Sequence, residues 1–189
     1  MKVGVLALQG AFREHRWVLD ALGVDTCLVT KPADIEACDA MVLPGGESTT
    51  IGRLLNVFNL MEPLLERARA GMPLFGTCAG TILLAKEIEG SAQPRLGLLD
   101  VAVRRNAFGR QVESFEASLE VPVLGEELFP GVFIRAPYIT RVGPETEVLC
   151  HLDGKVVLVR QGKVLAATFH PELTGDRRLH RYFLALAAG

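Results

Sequence analysis

The chain has 189 residues, 49% of them apolar and 22% charged, so at roughly 150 residues per domain it predicts one domain and excludes an extended, low-hydrophobicity chain. Its 20 basic and 22 acidic side chains leave a formal charge of −2, which provides no global positive field for nucleic acid or an anionic membrane. Four cysteines, Cys27, Cys38, Cys78 and Cys150, are too sparse and irregular for a disulfide scaffold and form no C-x-x-C pair, which predicts a reduced, cytoplasmic protein. The apolar run Lys2–Leu8 reads as a strand buried on both faces, and Gln9, Arg13 and Glu14 follow too soon for a signal peptide. Phe12, Val18, Leu19 and Leu22 then fall near helical spacing, with Gly23 as the stop. Val24–Val29 is a second strand, Lys31–Cys38 a short helix, and Ala40–Leu43 a third strand ending at Pro44-Gly45-Gly46. Ser48 reads as the N-cap of a helix carrying Ile51, Leu54, Leu55 and Phe58 on one face. Pro63 marks a kink or a break into a further helix, which Gly71 ends. Met72–Phe75 is a fourth strand and Thr81–Ile88 the helix after it. From Leu96 onward the texture changes to short strands at Leu98–Arg104, Ser114–Val121, Val132–Ala136, Glu147–Leu152, Val156–Arg160 and Val164–Phe169, before a last helix at Asp176–Ala187. The pattern predicts an α/β fold: a three-layer, mostly parallel central sheet with an antiparallel extension in the second half.

Ligands of such sheets bind beyond the carboxyl ends of the strands, and three of those ends carry unusual sequence. Gly76-Thr77-Cys78-Ala79-Gly80 places small residues on both sides of a cysteine, as a tight strand-to-helix elbow requires, and the helix start beside the sulfur favours thiolate. Leu43–Thr49 holds two glycines that let backbone N–H groups approach an oxyanion or a carboxylate. His170-Pro171-Glu172 allows a carboxylate to fix one ring nitrogen while the other faces a nucleophile; in an extended segment residues i and i+2 share a side. Alone, each pattern also suits a plain glycine-rich turn or a surface His–Glu pair. Together they supply what acyl transfer needs: nucleophile, general base with its orienting acid, and an oxyanion loop.

These three patterns resemble class I, triad-type glutamine amidotransferases, a flavodoxin-like fold. More narrowly, Leu8–Ala11, Leu43–Thr50, Phe75–Gly80, Arg105–Gln111, Phe133–Pro137 and Phe169–Thr174 resemble the glutaminase subunits of pyridoxal 5′-phosphate synthases, from the first strand to the last helix. The resemblance implies one glutaminase domain over residues 1–189, hydrolysis of L-glutamine to L-glutamate and ammonia, and delivery of that ammonia to a separate synthase subunit in a hetero-oligomer. It implies Cys78 as nucleophile, His170 as its acid/base partner and Glu172 as the orienter of His170. It aligns Gly46, Glu47, Ser48, Arg105, Ile134 and Arg135 with glutamine-binding positions, and Gln9 with a residue near the oxyanion site and the synthase interface. The backbone N–H groups of Gly46 and Ala79 are the expected oxyanion donors.

Other readings stay open at this point: a glutaminase of another pathway, and a non-catalytic subunit that retains the fold. Neither a cofactor nor a metal is expected. His151 and His180 have no convergent ligand set, and the first strand-to-helix turn lacks G-x-G-x-x-G. His15 is read as part of a solvated helix face, and Cys27, Cys38 and Cys150 as core or incidental.

Overall fold

The computed structural model describes residues 1–105 and 114–189. In chain order the first half gives β1 (Lys2–Leu6), α1 (Phe12–Asp20), β2 (Asp25–Val29), α2 (Pro32–Glu36), β3 (Ala40–Leu43), α3 (Ser48–Val57), α4 (Met61–Arg69), β4 (Leu74–Thr77), α5 (Ala79–Leu84) and β5 (Ala85–Ile88). Mostly strands follow: β6 (Leu99–Arg104), β7 (Ser114–Leu119), β8 (Phe129–Ile134), β9 (Tyr138–Val142), β10 (Glu147–Leu152), β11 (Lys155–Gln161) and β12 (Val164–Ala167), with α6 (Arg178–Ala188) last.

Among the described residues the strands form a ten-stranded sheet in the order β2-β1-β3-β4-β12-β11-β9-β6-β5, with β10 added beside β11, and a separate ribbon of β7 and β8. The run from β2 to β12 is parallel. Beyond it β11, β9 and β6 pair antiparallel, as the change of texture in the sequence predicts. One pairing places the chemistry. Strand β12 returns from the last quarter of the chain to lie beside β4, from Val164↔Leu74 to Ala167↔Thr77, so the residues that follow both strands emerge side by side.

Helices cover both faces, which makes the three layers. Leu19 of α1 and Leu179 and Phe183 of α6 pack on Val3, Val5, Phe75 and Leu165 on one side. Ile35, Ile51, Leu55, Leu64 and Leu83 pack on Leu6, Met41, Leu43 and Leu74 on the other. Fully burying one such side chain contributes about 1.5–3 kcal/mol, so each face is held by many small, additive increments. Among the described residues no helix is long and apolar enough to cross a membrane.

Several boundaries differ from the sequence expectation. The helix expected to run to Ile88 ends at Leu84, and Ala85–Ile88 is strand β5, paired parallel with β6 from Ala85↔Leu99 to Ile88↔Val103. A partner strand outweighs helical spacing there. Strand β9 has no counterpart among the expected strands; only Ile139 of its five residues is buried, too little to make a pattern. The break between α3 and α4 falls at Asn59, in the left-handed region at φ 55, where asparagine is tolerated. Pro63 instead sits in the first turn of α4, where helical N–H groups lack intrahelical acceptors and its missing donor costs nothing.

Candidate active site

Between β4 and α5 the backbone turns on Cys78, at φ 48 and ψ −103. Such a conformation costs an L-residue on the order of 1–3 kcal/mol and persists only where the surroundings fix it. Here the Cys78 N–H donates to Ala167 O at 2.8 Å, and the Thr81 hydroxyl donates to the same carbonyl at 2.6 Å. A Cβ at Gly76 would lie 2.6 Å from Leu84 Cδ1 and 2.7 Å from the Gly80 backbone, and one at Gly80 would collide with the Leu43 carbonyl. The small residues therefore permit the elbow, as the spacing predicts. Cys78 Sγ lies 3.9 Å from Ile134 O.

His170 follows β12, and its N–H donates to Val132 O of β8 at 2.8 Å. Its Nδ1 meets Glu172 Oε1 at 2.6 Å. The pair does not form along an extended strand: Pro171–Leu173 is a single 3₁₀ turn, which folds the carboxylate back onto the ring. Burial opposes protonation of His170, but hydrogen bonds to Cys78 and Glu172 and the charge of both outweigh it and raise its pKa to about 10. Burial likewise pushes Glu172 up, yet His15 and His170 more than offset this and hold it below its ordinary value. The direction favours the protonated ring beside the sulfur and the carboxylate, the state from which His170 can give a proton to a leaving group.

The loop after β3 closes the third side. Gly45 packs so tightly on the His170 ring that a Cβ would run into ring carbon Cε1 and lie 3.0 Å from Nδ1. Its carbonyl accepts from the Ala11 N–H at 3.0 Å, and because a trans peptide sets C=O and N–H in opposite directions, the Gly46 N–H turns away from Ala11. Gln9 Oε1 accepts from the Glu47 N–H at 2.7 Å and pins the loop from the other strand end. The N-cap of α3 is Glu47 rather than Ser48: its carboxylate accepts from the N–H groups of Thr49 at 3.2 Å and Thr50 at 2.7 Å. Burial opposes ionisation of Glu47, but these bonds and the Thr50 hydroxyl win and lower its pKa. Ser48, freed from capping, turns its hydroxyl to Gln93 Oε1 at 3.4 Å.

Gln9, Cys78 and His170 share one cleft of about 450 Å³ with Gly46, Glu47, Ser48, Arg105, Ile134 and Arg135, a volume in the range of small-molecule sites. Arg105 is fixed there by Gln93 Oε1 at 2.9 Å and Thr49 Oγ1 at 3.1 Å, so it is no free surface charge. Arg135 has φ 43, a left-handed turn that ends β8 at the cleft. Residues 106–111 of the motif that begins at Arg105 lie outside the described residues. Sequence reasoning missed two neighbours. Ile82 lies on the cleft wall, and Gln93 gathers Ser48, Thr49 and Arg105 from an irregular stretch with no local signal.

His15 corrects an expectation. It is fully buried, with Nε2 at 2.9 Å from Thr77 Oγ1 and 3.3 Å from Glu172 Oε2, and Nδ1 at 3.0 Å from His180 Nε2. The solvated face expected of α1 is covered by α6, from the opposite end of the chain. Of the other cysteines, Cys38 and Cys150 are buried and Cys27 is partly so; Cys27 Sγ and Cys38 Sγ lie 3.1 Å apart. Burial pushes the Cys38 thiol up to about 12 and the Cys150 thiol up to about 11, so both stay protonated and unreactive at neutral pH.

The sequence profile of the SNO glutamine amidotransferase family matches residues 5–187. A protein of Pelotomaculum thermopropionicum named pyridoxal 5′-phosphate synthase subunit PdxT is 66% identical over 184 residues, 97% of this chain and 94% of its own. One of the same name from Moorella thermoacetica is 57% identical over 186 residues, 98% and 99% of the two chains. A crystal structure described as a glutamine amidotransferase superposes with a TM-score of 0.94 at 57% identity, covering 99% of each chain. A chain in the structure of PurLQS from Thermotoga maritima, at 16% identity, shares the fold with a TM-score of 0.71 over 97% of each chain.

Proposed function

The chain belongs to the SNO glutamine amidotransferase family, and we propose that it is the glutaminase subunit of a pyridoxal 5′-phosphate synthase. It hydrolyses L-glutamine to L-glutamate and ammonia and hands the ammonia to a separate synthase subunit. In this reading residues 1–189 act as one glutaminase domain, working in the cytoplasm, where the sparse, unpaired cysteines stay reduced. The observation that carries the mechanism is that Cys78, on its positive-φ elbow, lines one cleft with a His170 ring held by Glu172 at 2.6 Å.

The chemistry follows from those positions. The Cys78 thiolate attacks the carboxamide carbon of glutamine, and the C=O electrons move to oxygen. The N–H groups of Gly46 and Ala79 receive that oxyanion, and losing one such donor costs on the order of 10²–10³ in rate. His170 gives its proton to the departing nitrogen, which leaves as ammonia, and a γ-glutamyl thioester remains on Cys78. Water then attacks the thioester while the neutral His170 takes its proton, and glutamate leaves with the thiolate restored. The planar forks of Arg105 and Arg135 match the substrate α-carboxylate, and the ionised Glu47 complements its α-ammonium group. Gln9 ties the oxyanion loop to the start of α1, so a partner bound at that end acts on Gly46 through the loop.

Ammonia release from glutamine, measured with and without the synthase subunit of a 57–66% identical relative, tests the reading. The isolated chain is expected to be slow and the complex faster. A rate that ignores the synthase subunit, or that survives Cys78→Ala, contradicts it.

A further inference from the structure

The carboxylate of Glu172 has two oxygens, and the triad uses only Oε1. Oε2 lies in a buried compartment lined by His15 of α1, Thr77 of β4 and His180 of α6. There it lies 3.3 Å from His15 Nε2, too poorly aligned to count as a formed hydrogen bond, and it has no other side-chain partner among the described residues. The same nitrogen lies 2.9 Å from Thr77 Oγ1. On its other side His15 Nδ1 meets His180 Nε2 at 3.0 Å. Phe75 seals the compartment, its ring edge-on to both histidines with centroids 6.1 Å and 5.6 Å away. Both histidines are fully buried.

The proton positions follow from elimination. A charged His15 would hold Glu172 down most strongly. Burial, aided by the neighbouring His170, nevertheless lowers the His15 pKa against the pull of Glu172 and Glu14, so the ring is neutral and carries one N–H. If that proton sat on Nδ1 it would donate to His180. The Nε2 lone pair would then accept from the Thr77 hydroxyl while lying beside a carboxylate oxygen, and His180 Nδ1–H would be a buried donor without a partner. If it sits on Nε2, it points at Thr77 Oγ1 and Glu172 Oε2, and Nδ1 accepts from His180 Nε2–H. On the His180 side an imidazole lone pair rather than an N–H then goes unmet, the cheaper omission. We infer that His15 is a positioning residue for the triad: His180 sets its tautomer, and its Nε2–H, held on Thr77 Oγ1, keeps the positive end of an N–H dipole beside the outer oxygen of Glu172. The inference rests on the triad reading of Cys78, His170 and Glu172. It makes the orientation of His170 depend on α1 and α6, through a chain from His180 to His15 to Glu172.

Two amide variants of one chemistry and different reach test it. Gln at position 15 places its amide nitrogen near the imidazole Nε2, toward Glu172; Asn places it near Nδ1, toward His180. In the complex with the synthase subunit, His15→Gln should stay close to the wild type. His15→Asn should lose kcat by about tenfold or more, with KM for glutamine little changed. The acid limb of its kcat/KM profile should also move to higher pH, because a Glu172 lacking that N–H dipole takes up a proton sooner. The charged and titratable groups facing the pair are His170, His180, Glu14 and the hydroxyl of Thr77. Equal losses in both variants, or a normal kcat and acid limb in His15→Asn, would overturn the inference. Cys78→Ala, run alongside, separates the cases: if it still hydrolyses glutamine the triad reading itself is wrong, whereas if it is inactive a normal His15→Asn condemns only the role of His15.

Discussion

Two histidines face the same carboxylate from opposite sides, and the molecule treats them oppositely. On the cleft side His170 meets Oε1, Cys78 and the open pocket, and its pKa rises to about 10. On the core side His15 meets Oε2 with Thr77, His180 and Phe75 around it, and its pKa falls. Both rings pay for desolvation, so burial alone does not decide the sign. The difference is the charge around each ring: Cys78 and Glu172 together outweigh burial at His170, whereas at His15 burial, aided by the neighbouring His170, outweighs the pull of Glu172 and Glu14. One side is thereby equipped to move a proton and the other to hold one in place.

The comparison breaks most sharply at its hinge. Glu172→Gln should remove both roles and lower kcat of the complex by a factor on the order of 10³–10⁴, as loss of the orienting acid does in other triads, with the fold intact by circular dichroism. Gly45→Ala disturbs only the cleft side, since its Cβ would displace the His170 ring. A loss on the order of 10²-fold in kcat, from a misplaced catalytic group, should accompany about 1–3 kcal/mol of overpacking, read from urea midpoints. Arg105→Ala leaves both histidines untouched. It should raise KM for glutamine about tenfold or more, for one lost charge-assisted bond, with kcat nearly unchanged in steady-state assays.

Stability against pH depends on the two sides with opposite sign. For His15 and His180 the folded pKa lies below the unfolded 6.5. Their stabilising contribution is full above pH 6.5 and lost as pH falls, by up to about 1.4 kcal/mol per pH unit for each group. For His170 the folded pKa is raised to about 10, so its contribution is present below 6.5 and lost between there and about 10. Chemical denaturation at pH 5, 7 and 9 should show the maximum between the limbs. His180→Gln should flatten the acid limb and leave the alkaline limb alone.

What the sequence carries plainly are features whose signal is local. The parallel strands show as apolar runs between glycines and prolines, and Cys78 announces itself by the small residues that its elbow requires. His170 and Glu172 show through their spacing, although a turn rather than a strand brings them together. The unreadable parts depend on distant chain. Strand β5 exists because β6 lies beside it, and Glu47 displaces Ser48 as the cap because its longer side chain curls back to reach two N–H groups. Gln93 and His15 carry no pattern of their own. His15 looks like a surface residue of α1 until α6, 165 positions further on, covers it.

The central claim is that Cys78 carries the substrate as a thioester. Rapid acid quench of the complex with glutamine, followed by peptide mass spectrometry, reads this directly. A γ-glutamyl adduct on the peptide containing Cys78, absent from Cys78→Ala, is the expected result. Continued ammonia release with no adduct on that peptide, or with the adduct on another residue, contradicts the account.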